Sequence, residues 1–192
     1  MNRKPRILAL AGSLRAGSYN KQLLKIAVES ARRAGAEVAS IDLRDYPLPV
    51  FDEDLEKAEG LPANARRLKD LFIGHDGLLI AAPEYNSSIT AALKNAIDWV
   101  SRPVPNEAPL AGFAGKVAAI MSASPGELGG LRGLVHVRAI LGNIQTLVLP
   151  EQVSVPRAHE AFNPDGTLKD ARKQASVETL GEKLTTILAR LL

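Results

Sequence analysis

Five short apolar runs alternate with five segments of helical spacing, and few folds accommodate that rhythm. Residues 6–12 (RILALAG) read as the first strand, and residues 19–34 follow with Leu23, Leu24, Ala27 and Ala31 on one helical face. Residues 36–42, 77–83, 116–124 and 145–150 read as the remaining strands. Helices are expected over 62–74 (opened by Pro62), 88–101 (with Ile89, Leu93, Ile97 and Val100 on one face), 128–142 and 168–191. Residues 43–60 and 151–167 read as loops. Apolar strands joined by helices require a parallel sheet covered on both faces. The expected architecture is a single α/β domain over residues 1–192, a three-layer α/β/α sandwich with strand order 2-1-3-4-5.

Such a sheet binds ligands beyond the carboxyl ends of its strands, where the order reverses between strands one and three. The loops expected there are 12–20, 83–88 and 122–130. They also carry the densest glycine, serine and polar chemistry in the chain.

Several function classes fall away on composition. The formal net charge is +3 with basic and acidic residues interspersed, which does not suit nucleic acid but favours a small anionic ligand. There is no cysteine, so disulfides and thiol chemistry are excluded. No run approaches the roughly 18 apolar residues of a membrane span. The start, MNRKPRILALAGS, reads as a strand rather than a leader. A cytoplasmic protein without membrane contact is expected. His75, His136 and His159 have no metal-ligand spacing, so no metal is expected.

The first loop, AGSLRAGSYN, offers Ser13, Ser18 and Asn20 as donors and Arg15 as a cation. Ser18 lies where a helix cap belongs, and a helix start presents free N–H groups to an anion. Gly12 is expected to turn the chain out of the strand. The triphosphate pattern GxxxxGK(S/T) is missing, because Ser18 and Tyr19 follow Gly17, and GxGxxG is missing too. A terminal phosphomonoester fits best, with plain helix capping the competing explanation for Ser18. In the second loop, APEYNSSI, Pro83 ends the strand and Ser87 or Ser88 is expected to cap the next helix. Glu84 there is explained equally by a nearby helix start, and Tyr85 by packing.

GSLRAGSYN, APEYNSSITAALKNAIDW and SPGELGG together resemble the NADPH-dependent FMN reductase family, of flavodoxin-like fold. The resemblance implies that Ser13, Arg15, Ser18 and Asn20 hold the FMN phosphate, helped by the backbone of Leu14 and Gly17. It implies that Pro83, Glu84, Tyr85 and Asn86 line the isoalloxazine, with Ala123 and Ser124 closing its other edge. A hydride would pass from NADPH or NADH to bound FMN, and electrons onward to a quinone, azo compound, flavin or similar small acceptor. No side chain is expected to act as acid or base. Homodimers or homotetramers are implied, with residues 47–54 reaching toward the neighbouring subunit and Trp99 packing. One departure stands out. Quinone and chromate reductases of the family carry a tyrosine four positions after the paired glycines, within a polar interface network. Here Leu134 and Val135 occupy that stretch, while Arg132 remains, with Glu151 as one candidate partner. A flavodoxin-like electron carrier, or a phosphosugar- or nucleotide-binding domain, would share the fold without the activity.

Overall fold

The computed structural model describes residues 3–192. Its elements are β1 (Arg6–Ala11), α1 (Tyr19–Arg33), β2 (Glu37–Asp42), a single 3-10 turn (Leu43–Asp45), α2 (Glu53–Glu59), α3 (Ala63–Ile73) and β3 (Gly77–Ala81). There follow β4 (Glu84–Tyr85), β5 (Ser88–Ile89), α4 (Ala91–Val100), β6 (Val117–Ala123), α5 (Leu131–Asn143), β7 (Leu147–Val155), α6 (Ala158–Ala161) and α7 (Ala171–Leu191). The main sheet is parallel with order β2-β1-β3-β6-β7, the flavodoxin-like order expected.

Alternate side chains of the strands feed two cores. Ile7, Ala9, Leu79 and Met121 face α1 and α7, while Leu8, Leu10, Leu78, Ile80 and Ile120 face α3, α4 and α5. Both faces of β1, β3 and β6 are thereby sealed, which leaves the carboxyl ends of the strands as the open side of the sheet.

α5 begins at Leu131 rather than 128 and the short α6 lies inside the expected loop 151–167, and four further boundaries differ from the sequence reading for a local reason. The stretch 43–60 contains α2, because Asp52 caps it by accepting from the N–H groups of Asp54 and Leu55. The helix expected from residue 88 begins at Ala91. Asn86 and Ser87 both have positive φ and join β4 to β5 in a two-residue hairpin, and Thr90 rather than Ser87 or Ser88 caps the helix. β7 continues past Pro150 because a register shift falls there, so the missing proline N–H breaks no regular ladder. The last helix starts at Ala171, capped by Asp170.

Candidate functional site

β1 delivers the chain to the first loop at the switch point. Gly12 donates its N–H to Ala81 (2.9 Å) and its carbonyl accepts from Thr90 Oγ1 (2.6 Å). A Cβ on Gly12 would stand 2.9 Å from that of Leu93. Close approach of α4, rather than a special turn, therefore requires this glycine.

Beyond Gly12, Ser13 Oγ accepts from Arg15 N (3.3 Å), and several other polar groups are left free. Ser18 occupies the cap position of α1 but makes no capping bond with its side chain. The N–H groups of Tyr19, Asn20 and Lys21 have no acceptor among the described residues. Ser13 and Ser18, only 4% and 3% exposed, still line an open cleft. The Arg15 guanidinium lies 4.8 Å over the Tyr19 ring, and Tyr19 stacks on Phe162 with centroids 6.3 Å apart. Arg15 is thus held at the cleft with no carboxylate partner among the described residues. Asn20 behaves differently from expectation. Its buried amide donates to the Ala123 carbonyl (2.7 Å) and accepts from the Ala123 N–H (3.0 Å). The side chain locks β6 to α1, and only its backbone N–H faces the donor set.

On the opposite wall the polar groups are paired. Glu84 opens the hairpin and reaches α5, accepting from Gly133 N (3.0 Å) and from Arg132 Nε and Nη2 (3.0 and 2.8 Å). Arg132 therefore pairs with Glu84 and not with Glu151, which instead meets Lys183. Glu84 comes from an adjoining loop, while Glu151 sits on the far side of the bulged edge strand. Burial alone would raise the Glu84 pKa, but the Gly133 N–H and the Arg132 guanidinium outweigh it and hold the group below its ordinary value. The carboxylate is a helix-capping anion for α5, the helix it faces across space.

The third loop closes the cleft. Ser124 N donates to Val155 O (3.1 Å), and Ala158 N donates to Ser124 O (3.0 Å). Gly129 and Gly130 both have positive φ, and the Ser122 side chain fills the place of any Cβ on Gly130. Here the glycines serve the tight loop itself.

The resulting cleft is about 270 Å³. Ser13, Arg15, Ser18, Asn20, Pro83, Glu84, Tyr85, Ala123 and Ser124 line it, as expected from the sequence. Leu14, Gly17 and Asn86 do not, and Leu14 instead faces a neighbouring groove with Tyr46 and Leu48. Tyr19 and Pro125 line the cleft but escaped the sequence reading. The tyrosine after the cap serine was the available signal, since an arginine four residues before a helical aromatic can stack on it. Residues 47–54 pack in part against α4: Pro49 O accepts from Asn95 and from Trp99 Nε1, while Val50 projects with 83% exposure. Arg102 pairs with Glu56. Among the described residues no three His, Asp or Glu side chains converge as metal ligands, and no helix is long and apolar enough to cross a membrane.

The cleft fits FMN. Free donors and one cation gather at a helix start for a phosphate, beside a small-residue edge and an exposed Tyr85 for a flat ring. The comparisons agree. The NADPH-dependent FMN reductase family matches residues 5–160. An NAD(P)H-dependent FMN reductase of Pseudomonas aeruginosa is 38% identical over 176 residues, covering 90% of this chain and 89% of its own. A quinone reductase of Escherichia coli is 38% identical over 153 residues, covering 78% and 76%. The solved structure of FerB, a flavoenzyme NAD(P)H:(acceptor) oxidoreductase from Paracoccus denitrificans, superposes with a TM-score of 0.78 at 27% identity, covering 97% of this chain and 98% of that one. The chain therefore belongs to the NADPH-dependent FMN reductase family and is an oxidoreductase that uses FMN and a reduced nicotinamide cofactor.

Proposed function

We propose that this protein holds FMN with its phosphate at the α1 start and its ring across the hairpin, and reduces quinones at the expense of NADPH or NADH. The observation that carries the reading is the set of unpartnered donors around Ser13, Arg15, Ser18 and the first turn of α1, next to a hairpin left exposed at Tyr85. The quinone reductases among its relatives supply the acceptor class.

When bound, FMN would supply the two-electron redox chemistry. The residues bind and orient. Ser13, Ser18 and the N–H groups of Tyr19–Lys21 would surround the phosphate, while Leu14 and Gly17 would shape the loop without touching it. Arg15 neutralises its charge from its perch on Tyr19. Pro83, Glu84 and Tyr85 would support one edge of the ring, with Asn86 shaping the hairpin behind them, and Ala123 and Ser124 the other. Small residues there let the ring approach the backbone. Glu84, the one carboxylate lining the cleft, is ionised and doubly engaged at neutral pH, so the cleft relays no proton through it. Orientation is then the main contribution, and preassembled reactants can save roughly 7–11 kcal/mol.

We assign the protein to the cytoplasm, where reduced nicotinamide is supplied, and expect a homo-oligomer. The support for the second point is the apolar surface of Tyr85, Leu128, Leu131 and Val135, exposed by 42–58%. Sedimentation velocity reads the oligomeric state directly.

The deciding experiment is FMN titration followed by flavin fluorescence, then steady-state NADPH oxidation with a benzoquinone. Saturable FMN binding with turnover is expected, and azo dyes and free flavin as alternative acceptors define its breadth. FMN binding without turnover would mark an electron carrier instead. No FMN binding sinks the whole reading.

A further inference from the structure

We propose that a second cleft, behind the wall of the cofactor site, takes the adenosine 2′-phosphate end of NADPH and so makes the enzyme prefer NADPH to NADH. This rests on the reading that reduced nicotinamide reacts with FMN in the first cleft.

The second cleft, also about 270 Å³, lies between the end of β7, α6 and the start of α7. Its floor is apolar, with Val155, Ala161 and Leu168, and suits a purine. Its rim carries Arg157, Lys169 and Lys173 from three different segments. Among the described residues none of these side chains has an ion-pair or hydrogen-bond partner. The two acids of the cleft have other neighbours. Glu160 faces His159 Nε2 at 3.0 Å, and Asp170 caps α7 by accepting from Arg172 N and Lys173 N at 2.8 and 3.1 Å. Three free cations over an apolar floor match a nucleoside carrying a phosphomonoester dianion.

The position fits a ligand shared with the flavin. The two clefts stand back to back across one wall. Val155 O accepts from Ser124 N, Arg157 N donates to Gly126 O (3.3 Å), and Phe162 beside Ala161 stacks on Tyr19. Arg157 is held in the left-handed region with φ 44, an outlier for a non-glycine residue. Its N–H to Gly126 and its carbonyl to Glu160 N fix that conformation. The larger groove between α1 and residues 163–167 offers a single free cation among the described residues, Lys25, because its Arg33 already pairs with Glu178.

The test compares 2′,5′-ADP with 5′-AMP by calorimetry on the wild type and on an Arg157→Asn/Lys173→Gln double variant. Asparagine tolerates the left-handed backbone, and a melting curve confirms the fold. The wild type should bind 2′,5′-ADP at least about ten-fold tighter than 5′-AMP, and the variant should lose that margin. In steady state the variant should raise KM for NADPH by a similar factor, with kcat and the KM for NADH unchanged. Equal affinity for both nucleotides in the wild type overturns the proposal, as does an equal rise in KM for both coenzymes. Inorganic phosphate binding as tightly as 2′,5′-ADP would reveal a bare phosphate site and overturn it too. A preference for 2′,5′-ADP that the variant abolishes, in a protein without flavin-linked turnover, would retain this cleft and reject the reductase reading. Turnover that is indifferent to the 2′-phosphate would do the reverse.

Discussion

The start of α1 leaves its first N–H groups, its cap serine and the nearby Arg15 guanidinium without protein acceptors among the described residues, whereas residues 84–89 and 124–133 tie most of their polar groups to one another. On the first wall, Ser18 makes no cap bond, three N–H groups lack acceptors and Arg15 rests on an aromatic face. On the second, Glu84 is matched with Gly133 and Arg132, and the glycine pair is fitted to Ser122 and Pro156. The contrast separates two tasks. Polar groups that face the open cleft without a protein partner are available to a ligand, which takes the place of the water they otherwise bind. Polar groups that satisfy each other shape the surface against which a ring lies. Variants on the first wall should therefore distinguish FMN from riboflavin, which lacks the phosphate, and variants on the second should not.

The residue that joins the walls gives the largest expected effect. Asn20→Ala orphans both the N–H and the carbonyl of Ala123, deep at the end of β6. A loss of about 2–5 kcal/mol is expected. The melting temperature of the cofactor-free protein should then fall by roughly 5–15 °C. Affinity for FMN and for riboflavin should weaken together, since the damage lies in the frame. A fall under about 2 °C would show that Ala123 finds other partners and that the walls stand independently.

Next comes the charge on the open wall. Arg15→Ala removes a charge-assisted contact of about 1.5–3 kcal/mol, so FMN should bind about 10–150-fold more weakly. Riboflavin should be unaffected. Flavin fluorescence titrations of both ligands make the comparison, and equal losses would remove the phosphate from this corner.

The same contrast explains what the sequence could and could not show. The open wall is contiguous: cap serine, arginine and glycine fall within ten residues, and their chemistry is visible without folding the chain. The strand order was legible too, because apolar runs bounded by helical segments leave few alternatives. The paired wall is assembled from residues 48 or more positions apart. Nothing local marks Glu84 as the partner of Arg132, and Glu151 was an equally charged candidate nearer in sequence. Asn20 shows the limit within the open wall itself. Its place in a phosphate-binding pattern was plain, but its amide is taken by a strand 103 residues away. The hairpin was hidden for another reason: Asn86 and Ser87 adopt positive φ although neither is glycine, so Ser88 looked like a cap.

The paired wall is probed by Glu84→Gln. Glutamine can keep one contact with Gly133 but loses the charge facing Arg132. Destabilisation of about 1–2 kcal/mol is expected, with FMN and riboflavin weakened alike. The pH dependence carries a sign. Because the folded pKa lies below the ordinary glutamate value of 4.5, the stabilising share of Glu84 is complete above that value and is lost as pH falls through the lowered one. The melting-temperature gap between wild type and variant should therefore close toward acid pH. A gap that stays constant down to pH 3 would assign the stabilisation to shape rather than charge.

Gly17→Ala should have the smallest effect, and it sharpens the comparison most finely. A methyl group on Gly17 meets nothing within 4 Å, and the residue has no positive φ to preserve. Losing a glycine narrows the unfolded ensemble, so stability should hold or rise by about 0.4–1 kcal/mol. The cleft lining excludes Gly17, which predicts that FMN affinity stays within about two-fold. If the backbone of Gly17 instead closes directly on the phosphate, the methyl group will stand in the ligand's way. Affinity will then fall for FMN and not for riboflavin, while the melting temperature of the free protein stays put. That result would extend the open wall by one turn of the loop and make Gly17 the loop's point of closest approach to the ligand.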